Sequence, residues 1–403
     1  MNSTRLSERY SEHYNFVKKI KDTGFFPYFK TITRSSGSEV QVDGKNLIMF
    51  SSNDYLGLTH DDRVIEKVLD TIKKYGTGTG GSRFLCGNLE LHEQLEAQLA
   101  EFVGKKYAIV LPTGFSTNLG AISSLLTSKD IILFDRENHA SIFDACKLTQ
   151  ARIISFAHND ADHAIKRLKK TGYPGENGII MLITEGVFSM SGSVVDLPSF
   201  VELKKQIPHL YIYLDDAHGI GTMGPGGLGV AAHYNAQDNV DFIMGTFSKS
   251  FGSIGGFVAC NDPFVAQHLH DKSRTMIFSA ALPAGNVATV LASLEIMRND
   301  PHRLARLWRN IALVRKGYQE MGLEINEIAS PIIPINIGDE ERAMRVSRDL
   351  FENNIFALPI IFPAVPRGKA LIRTSFMSTH SEEQLDYYLL TLRKVLKKHE
   401  ILN

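Results

Sequence analysis

The length, composition and charge of the chain bound its class. It has 403 residues, with 44 basic and 44 acidic side chains and a formal net charge of zero, so no charge excess favours nucleic acid or an anionic membrane as a partner. This length suits a large α/β domain with a smaller domain beside it, and the balanced charge favours a small-molecule substrate.

Neither the N-terminal segment nor the cysteines indicate export. The segment "MNSTRLSERYSEHYNFVKKIKD" lacks the apolar core of a signal peptide, and no stretch approaches the roughly 18 apolar residues of a membrane-spanning helix. Cys86, Cys146 and Cys260 lie far apart without a CxxC pair, which argues against a disulfide framework or a zinc site. We therefore expect a cytoplasmic protein without stable membrane insertion, whose cysteines are small buried residues.

Residues 1–45 are predicted to form an N-terminal arm, and residues 46–290 a large α/β domain. The arm leads into "VQVDGKNLIMF", whose alternating pattern and Asp43-Gly44 pair predict a hairpin. Beyond it, apolar runs rich in β-branched residues alternate with helical patterns such as "LHEQLEAQLAEFV". The runs are mostly continuous, which is typical of strands covered on both faces, so they predict a mostly parallel sheet of about seven strands with helices on both sides. The runs span 107–111, 131–134, 152–156, 178–184, 210–214, 241–245 and 255–259.

The pattern changes after residue 290 and predicts a smaller C-terminal α+β domain over residues 291–403. A long helical stretch at 302–322 is followed by the run "PIIPINI", a helix near 340–353, the run "ALIRTS" and a final helix at 381–398. The chain shows no internal repeat and no low-complexity linker. We therefore expect the boundary between the two domains to fall within a helix.

Polar segments follow five of the predicted strands. In an open α/β sheet, ligands bind beyond the carboxyl ends of the strands. "PTGFSTN" follows 107–111, "DRENHAS" follows 131–134, "TEGVFSMSG" follows 178–184, "DDAHGIG" follows 210–214 and "TFSKS" follows 241–245. These segments are therefore predicted to meet in one site.

Lys249 lies among small hydroxyl residues in "TFSKSFGSIGG", directly after a predicted strand. A lysine is more often a solvated surface residue, and Asp215, in "LDDAHGIG", is taken alone as compatible with a helix cap. Asp215 and His218 lie three residues apart, but a metal site there would need a third ligand, which no nearby cluster supplies. Together, however, a lysine and a buried carboxylate at neighbouring strand ends suit a pyridine aldehyde cofactor, because the lysine binds it as a Schiff base and the carboxylate keeps the ring nitrogen protonated.

Two further segments fit such a cofactor. His139, in "ENHASI", would alone more often be a core or cap residue, yet its flat imidazole can stack on a pyridine ring. "PTGFSTN" offers backbone N–H groups at the start of a predicted helix, where a phosphate binds well. "GTGTGGSRF", at 76–84, precedes the first core strand and lacks the spacing of a dinucleotide loop, so it is either a shaped active-site loop or a plain turn.

Five motifs resemble, in their order and spacing, the α-oxoamine synthases, a fold-type I pyridoxal phosphate family. They are "SSNDYLGL", "NHASIFDA", "TEGVFSMSG", "DDAHGIG" and "GTFSKSFGSIGG". The resemblance extends from about residue 25 to the C-terminus and implies a homodimeric fold-type I transferase with pyridoxal 5'-phosphate as its cofactor. Within the family, "YGTGTGGSRFLCGNLELHEQLE", "PYFKTI" and "PAVPRGKALIRTSFMSTH" are most similar to the branch that joins L-serine to a long-chain acyl-CoA.

The resemblance implies a catalytic role for four residues. It makes Lys249 the Schiff-base lysine and Asp215 the partner of the pyridine nitrogen. His218 becomes a hydrogen-bond donor to the phenol oxygen of the ring, and His139 stacks on the ring. Asp216, the adjacent aspartate, stays an alternative to Asp215 for this role.

The resemblance also implies contacts for the phosphate and the substrate. Asn53 and Arg373 match the positions that orient the amino-acid carboxylate, which a guanidinium can grip with two parallel hydrogen bonds. Some family members carry an arginine twelve residues before this one, where the chain has Ile361. Ser279 matches a phosphate contact that the neighbouring subunit of a homodimer donates. The implied cofactor contacts are Gly114, Phe115, His139, Ser189, Asp215, His218, Thr246, Ser248, Lys249 and Ser279.

The implied reaction condenses L-serine with a long-chain acyl-CoA such as palmitoyl-CoA, and gives a 3-ketosphinganine, CoA and carbon dioxide as a first step of sphingolipid synthesis. Lys249, once the amino acid displaces it, removes the α-proton. Three alternatives stay open. They are a sister enzyme that uses glycine or alanine with acetyl-CoA or pimeloyl-CoA, an aminotransferase or lyase of the same fold, and a cofactor-carrying subunit without turnover. The intact set of Lys249, Asp215, His218 and His139 argues against the last of these.

Overall fold

The computed structural model describes residues 4–22 and 24–402, so residues 1–3 of the predicted N-terminal arm lie outside it. The strands are β1 (Ile32–Ser36), β2 (Glu39–Val42), β3 (Lys45–Met49), β4 (Tyr107–Leu111), β5 (Ile131–Asp135), β6 (Arg152–Phe156), β7 (Ile180–Glu185), β8 (Leu210–Asp215), β9 (Phe242–Thr246), β10 (Gly256–Cys260), β11 (Ile335–Gly338), β12 (Ile355–Phe356), β13 (Leu358–Ile360) and β14 (Ala370–Arg373). The helices are α1 (Arg5–Lys21), α2 (Asp62–Tyr75), α3 (Glu90–Phe102), α4 (Gly114–Leu125), α5 (Ala140–Leu148), α6 (Ala161–Thr171), α7 (Leu197–Gln206), α8 (Val230–His233), α9 (Pro263–Lys272), α10 (Arg274–Ile277), α11 (Ala284–Asn299), α12 (Pro301–Glu320), α13 (Glu340–Glu352) and α14 (Glu382–Lys398).

Strands β4 to β10 form one seven-stranded sheet in the order β4-β10-β9-β8-β7-β5-β6. Neighbours from β6 to β9 run parallel, whereas β10 is antiparallel to both β9 and β4. Each of the seven predicted runs is a strand, so the predicted α/β class and mostly parallel sheet are confirmed. The carboxyl ends of β4, β5, β7, β8 and β9 therefore lie at one edge of the sheet.

Both faces of this sheet are buried, which explains why its strands are continuously apolar. In β7, Ile180 and Leu182 belong to one hydrophobic cluster, whereas Met181 and Ile183 belong to another on the opposite face. Successive side chains of a strand point to opposite faces, so each face needs its own layer of helices. The predicted helices on both sides of the sheet are confirmed by this division of the core.

Two smaller sheets carry the rest of the chain. One has the order β1-β2-β3-β12 and the other β11-β14-β13. The predicted hairpin turns at Asp43 and Gly44, which both have positive φ, 51° and 76°, and Val42 pairs with Lys45. β3 also pairs in parallel with β12, so the start of the chain packs against its C-terminal part. The domain limits 1–45, 46–290 and 291–403 stay a prediction, and α11 contains residue 290.

The structure adds one helix and corrects one expectation. The helix α1 was not predicted; the Thr4 side chain caps it by accepting a hydrogen bond from the Ser7 N–H, and none of its residues is buried. Cys146 and Cys260 are buried as expected, but Cys86 is exposed, so the expectation that all three are buried is wrong. Within residues 4–22 and 24–402, no helix combines the length and apolarity needed to cross a bilayer. No cluster of metal-binding side chains occurs in the same residues.

Candidate active site

Five strand ends bring polar side chains to the carboxyl edge of the seven-stranded sheet. Asp215 is the last residue of β8, and Glu185 is the last residue of β7, directly opposite it in the strand register. Lys249 follows β9, His139 precedes α5 after β5, and Gly114 begins α4 after β4. The predicted convergence of these segments is therefore observed.

The turn that carries Lys249 is anchored by buried aromatic rings on either side of it. Phe247 and Phe251 are both fully buried, and their rings meet edge to face with centroids 5.6 Å apart. The turn closes through a hydrogen bond from the Phe247 N–H to the Gly255 carbonyl at 2.9 Å. Gly255 has a φ of 120°, and a Cβ there would lie 2.6 Å from the Phe247 ring, so only glycine fits. The lysine is thus held on a rigid turn.

Protein surrounds the Lys249 amine closely enough to change its chemistry. Loss of solvation lowers the pKa of Lys249 to about 8, although the negative charges of Asp215 and Glu185 oppose this shift and the positive charge of Arg373 adds to it. A lysine in water has a pKa near 10.4. The neutral amine, which can act as a nucleophile or accept a proton, is therefore accessible near neutral pH.

The two adjacent aspartates occupy different surroundings. Asp215 Oδ2 accepts a hydrogen bond from Asn118 Nδ2 at 2.7 Å, and Asp215 Oδ1 accepts one from the Ala217 N–H at 3.1 Å. Asp216 is completely buried, and its Oδ2 accepts from the Val230 N–H at 2.6 Å. A Cβ added at any of three glycines would approach its carboxylate within 2.2 Å; these are Gly186, Gly219 and Gly229. The chain is thus built closely around the second carboxylate, which leaves the first to face the site.

Glu185 is a third carboxylate at this edge. Burial, followed by the nearby negative charge of Asp215, raises the pKa of Glu185 well above its usual value. Its Oε1 accepts a hydrogen bond from the His139 backbone N–H at 2.5 Å. Burial and the neighbouring charge thus both act against ionisation of Glu185, because two neighbouring carboxylates resist being ionised together.

Two histidines lie within reach of these groups. His139 is exposed, and its Nδ1 accepts a hydrogen bond from the Ser141 N–H at 3.2 Å. Partial loss of solvation lowers the pKa of His139, and the charge of Lys249 lowers it further while Asp215 opposes this. His218 is buried, and its pKa is lowered well below the usual value by burial and then by the charge of Lys249. Both imidazoles are therefore neutral at physiological pH.

Tyr55 connects the second histidine to the substrate-binding residues. Its hydroxyl lies 2.6 Å from His218 Nδ1 and 3.2 Å from Asn53 Oδ1. Burial raises the pKa of Tyr55 to about 12, so the hydroxyl keeps its proton. Because the Tyr55 hydroxyl occupies Nδ1, Nε2 is the ring nitrogen of His218 that remains for a ligand.

Gly114, Phe115, Thr246 and Ser248 form the predicted phosphate site. The first N–H groups of a helix have no partner within the helix, and α4 begins with Gly114 and Phe115. Thr246 Oγ1 lies 3.0 Å from Ser248 Oγ. A Cβ at Gly114 would lie 2.5 Å from Thr246 Oγ1. The glycine therefore lets the helix start approach the hydroxyls, which together form a neutral anion-binding site.

Arg373 and Asn53 are also brought together. Arg373 Nη2 donates to Asn53 Oδ1 at 2.9 Å, and Arg373 Nε donates to the Ser189 carbonyl at 2.7 Å. A guanidinium has five N–H groups, so these bonds fix its plane and leave donors for a carboxylate. The backbone carbonyl of Ser189 thus contacts Arg373, which is predicted to bind the substrate. The predicted contact of Ser189 with the cofactor stays a prediction.

Ser279 lies apart from these contacts. It follows α10 in a turn that is bonded to another loop by a hydrogen bond from the Ala281 N–H to the Gly81 carbonyl at 2.9 Å. None of the hydrogen bonds found among the described residues joins Ser279 to Thr246, Ser248 or Lys249. Its predicted role across a subunit interface stays a prediction.

Four site residues were missed by reasoning from the sequence: Tyr55, Asn118, Ser141 and Glu185. All four lie inside or beside motifs that had been singled out, namely "SSNDYLGL", "PTGFSTN", "NHASIFDA" and "TEGVFSMSG". Their residue types carried no distinctive spacing of their own. A buried polar residue inside a ligand-binding motif is the signal that could have found them.

Comparisons with known proteins agree over nearly the whole chain. Residues 45–392 match the family described as aminotransferase class I and II. The chain is 41% identical over 401 residues to serine palmitoyltransferase of Sphingobacterium spiritivorum, which covers 100% of this chain and 99% of that protein. It is 37% identical over 382 residues to 8-amino-7-oxononanoate synthase of Lysinibacillus sphaericus, covering 95% of this chain and 97% of that protein.

A solved structure gives the same result for the fold. Serine palmitoyltransferase from S. paucimobilis, with pyridoxal phosphate joined to myriocin, superposes with a TM-score of 0.94 at 30% sequence identity. The match covers 99% of this chain and 100% of that chain. The arrangement of the sheet and the smaller C-terminal part is therefore shared over the full length.

Proposed function

The chain belongs to the aminotransferase class I and II family, within it to the α-oxoamine synthases, and we propose that it is a serine palmitoyltransferase that condenses L-serine with a long-chain acyl-CoA. The products are a 3-ketosphinganine, CoA and carbon dioxide. The proposal is supported by identity of about 40% over the full length to several proteins of that name.

Pyridoxal 5'-phosphate is the cofactor, and the residues at the sheet edge fit it. We propose that Lys249 holds it covalently, that Asp215 faces its ring nitrogen, and that the start of α4 holds its phosphate. Position 114 must be glycine, because any side chain there would collide with Thr246. This glycine is the structural feature that favours a phosphate at the start of α4. When bound, the cofactor accepts the electron pair left on the α-carbon of the amino acid.

The observation that carries the proposal is the electrostatic setting of Lys249. Burial lowers the pKa of Lys249 to about 8. Asp215 and Glu185 act to raise it, and Arg373 acts to lower it further. The amine at Nζ can therefore accept the α-proton of the substrate and hold it as an ammonium beside the carboxylates. The same setting limits the cost of the positive charge that this proton transfer creates.

Two side chains are proposed to orient the substrate. Arg373, held by Asn53 and by the Ser189 carbonyl, faces the carboxylate of the amino acid with N–H groups that remain available. His218 donates from Nε2, because the Tyr55 hydroxyl occupies its Nδ1. The neutral His218 fixes a ligand without adding to the charge that Lys249 senses, whereas the charge of Arg373 lowers the pKa of Lys249.

The acyl chain is proposed to lie against the segment "FALPIIFPAVP". Part of this segment has a structural role, because Leu358–Ile360 form β13 of the three-stranded sheet. Ile361 follows that strand and lines a cavity of about 540 Å³ between α1 and α13. The lining also carries the charged side chains of Lys19, Glu340, Glu341, Arg345 and Arg348, and its apolar part includes Phe16, Phe25 and Met344. Each CH₂ buried on such a surface contributes about 0.8 kcal/mol, so a long chain gains more than a short one.

A CoA-release assay tests the proposed reaction. Purified protein loaded with pyridoxal phosphate is supplied with serine, glycine, alanine or threonine, each combined with acetyl-, pimeloyl- and palmitoyl-CoA. Serine with palmitoyl-CoA is expected to give the highest kcat/KM. A preference for alanine with pimeloyl-CoA would instead identify the 8-amino-7-oxononanoate synthase activity of the relatives at lower identity.

We also propose that the active unit is a cytoplasmic homodimer in which Ser279 contacts the phosphate bound by the partner subunit. An inactive Lys249→Ala protein mixed with an inactive Ser279→Trp protein is expected to regain part of the activity, because one site of each hybrid dimer is then intact. Subunit exchange is monitored by differently tagged chains. Exchange without recovered activity would show that each site is built from one chain.

A further inference from the structure

Asn118 connects Asp215 to the imidazole of His139 through a buried chain of hydrogen bonds. Asn118 Nδ2 donates to Asp215 Oδ2 at 2.7 Å and also to Ser141 Oγ at 2.9 Å. Asn118 Oδ1 accepts from the Tyr213 hydroxyl at 2.9 Å, and Ser141 Oγ lies 2.8 Å from His139 Nδ1. Asn118, Ser141 and Tyr213 are each at most 1% exposed, so solvent does not replace these partners.

The direction of each bond follows from groups that have a single role. The Ser141 backbone N–H, which can only donate, points to His139 Nδ1, so the proton of the neutral imidazole is on Nε2. The Ser141 hydroxyl then donates to Nδ1 and accepts from Asn118. Burial raises the pKa of Tyr213 well above its usual value, so its hydroxyl donates to Asn118 Oδ1. The amide of Asn118 therefore cannot flip without placing its oxygen against the carboxylate of Asp215.

We propose that Asn118 is a positioning residue that holds the Asp215 carboxylate and directs the Ser141 hydroxyl toward His139 Nδ1, where it supports the tautomer that the Ser141 backbone N–H favours. The proposal rests on the roles proposed for these two residues toward pyridoxal phosphate. Both donors to Asp215, Asn118 and the Ala217 N–H, are neutral. They fix the carboxylate without a positive charge that would compete with a protonated ring nitrogen. The amide of Asn118 is thereby linked to both Asp215, proposed to face the ring nitrogen of pyridoxal phosphate, and His139, proposed to stack on the ring.

The test compares Asn118→Leu with Asn310→Leu. Asn310 is equally buried, at 1% exposure, and donates to the Met377 and His380 carbonyls at 2.9 and 3.0 Å, away from the sheet edge. Both variants lose a buried amide, so both are expected to melt at a lower temperature. Only Asn118→Leu is expected to weaken pyridoxal phosphate binding, by about tenfold in the dissociation constant measured by spectroscopic titration of the apoprotein.

Histidine-selective ¹⁵N NMR provides a readout that a merely structural role would not change. The wild-type His139 signals are expected to show the Nε2–H tautomer, and Asn118→Leu is expected to lower its fraction, because the Ser141 hydroxyl can then turn away and only the Ser141 backbone N–H still donates to Nδ1. Tyr213→Phe removes only the hydroxyl that orients the amide and is expected to change both readouts in the same direction by a smaller factor. This second variant keeps the test valid if Asn118→Leu does not fold.

Two results would contradict the inference at different levels. An unchanged dissociation constant and an unchanged His139 tautomer in Tyr213→Phe and in any folded Asn118→Leu would overturn the role of Asn118 alone. If borohydride does not attach the cofactor to Lys249 in the wild-type protein, the proposed site is wrong and this inference is lost with it. The borohydride experiment is therefore performed first.

Discussion

His380 and His218 are buried in two different regions of the molecule, and the partners of the two rings differ. His380 lies in the C-terminal part, 2% exposed, and stacks on Phe50 with ring centroids 4.5 Å apart. Its Nδ1 accepts from the Met377 N–H at 3.0 Å, and its Nε2 donates to the Met49 carbonyl at 2.9 Å. Both nitrogens are thus used by the backbone, and the ring has no nitrogen left for a ligand.

His218, at the carboxyl edge of the large sheet, is 3% exposed, yet its surroundings are charged. Burial lowers the pKa of both histidines, but at His218 the positive charges of Lys249 and Arg373 lower it further. One nitrogen contacts Tyr55, which leaves the other for a ligand. Burial alone therefore does not distinguish the two histidines; charged neighbours and a ring nitrogen left for a ligand are what favour the role predicted for His218.

The largest expected effect separates two buried lysines. Lys249→Ala is expected to lower kcat by at least about a thousandfold, because it removes both the covalent attachment and the proton acceptor. Lys105 is 6% exposed, and burial lowers its pKa too, but its Nζ donates to the carbonyls of Gln237 and Val240, both at 2.6 Å. Lys105→Met is therefore expected to lower the melting temperature and leave kcat of the folded protein unchanged.

Mass spectrometry after borohydride reduction gives an independent check of this difference. The cofactor mass is expected on the peptide that contains Lys249 and not on the one that contains Lys105. Unmodified Lys249 peptide from a fully reduced, cofactor-loaded sample would contradict the assignment.

The next effect separates the adjacent carboxylates. Asp215→Asn is expected to bind pyridoxal phosphate but to exchange the α-proton of serine about a hundredfold or more slowly, since the charge that keeps the ring nitrogen protonated is gone. Asp216→Asn is expected to retain exchange, because that side chain is enclosed by glycines and faces Val230. Deuterium exchange followed by NMR measures both rates. Fast exchange in Asp215→Asn with loss in Asp216→Asn would reverse the assignment.

The pH dependence of stability gives Asp216 a signature of its own. Burial raises the pKa of Asp216 from 3.8 to about 7, so the folded state disfavours the ionised form. A raised carboxyl pKa means that stability falls as pH rises from about 4 to about 7, by up to about 4 kcal/mol for this group. Urea unfolding at pH 4.5 and pH 8 is expected to show a smaller decrease in Asp216→Asn than in the wild type. An equal decrease in both proteins would contradict the assigned environment.

A smaller effect is expected from the structural histidine. His380→Leu leaves the Met377 N–H and the Met49 carbonyl without a partner, so the free energy of unfolding is expected to fall by about 2 to 4 kcal/mol while kcat of the folded protein is unchanged. Burial lowers the pKa of His380 to about 4. The stability that this neutral ring contributes is therefore lost as pH falls from about 6.5 to about 4. The variant should lack that loss, and a large fall in kcat without a fall in stability would contradict the structural role.

The sequence was sufficient to predict the large sheet and the location of the site. The seven strands are continuously apolar because both faces are buried, and that pattern is visible without coordinates. The edge with the site followed from the rule that ligands bind at the carboxyl ends of parallel strands. The helix α1 was missed although Leu6, Tyr10, Tyr14 and Val17 recur at helical spacing. Because the helix buries none of its residues, this spacing does not mark a core-facing side.

The site was harder to predict where a role depends on contacts rather than on residue type. The sequence left Asp215 and Asp216 as alternatives, and only the three-dimensional surroundings separate them, since glycines from three loops enclose the second carboxylate. Asn118 and Glu185 are distant in sequence from the residues that they contact, as the bonds to Asp215 and His139 show. Such contacts between distant segments carry no signal in a single sequence.

The smallest expected effect concerns the acyl chain. A dicarboxylic acyl chain ends in a carboxylate that needs a cation or water, whereas an alkyl chain needs only apolar surface, which contributes about 0.8 kcal/mol for each buried CH₂. Ile361 is one of the apolar residues that line the cavity beside α13, and it follows the strand that pairs with β14 and Arg373. Ile361→Arg is therefore expected to reduce the preference for palmitoyl-CoA over pimeloyl-CoA, by about tenfold in the ratio of kcat/KM values. Ile361→Gln, which is polar but uncharged, is the matched control and should reduce the ratio less. If both variants keep the wild-type ratio, the acyl chain binds elsewhere, and the chemistry assigned to Lys249 and Asp215 is unaffected.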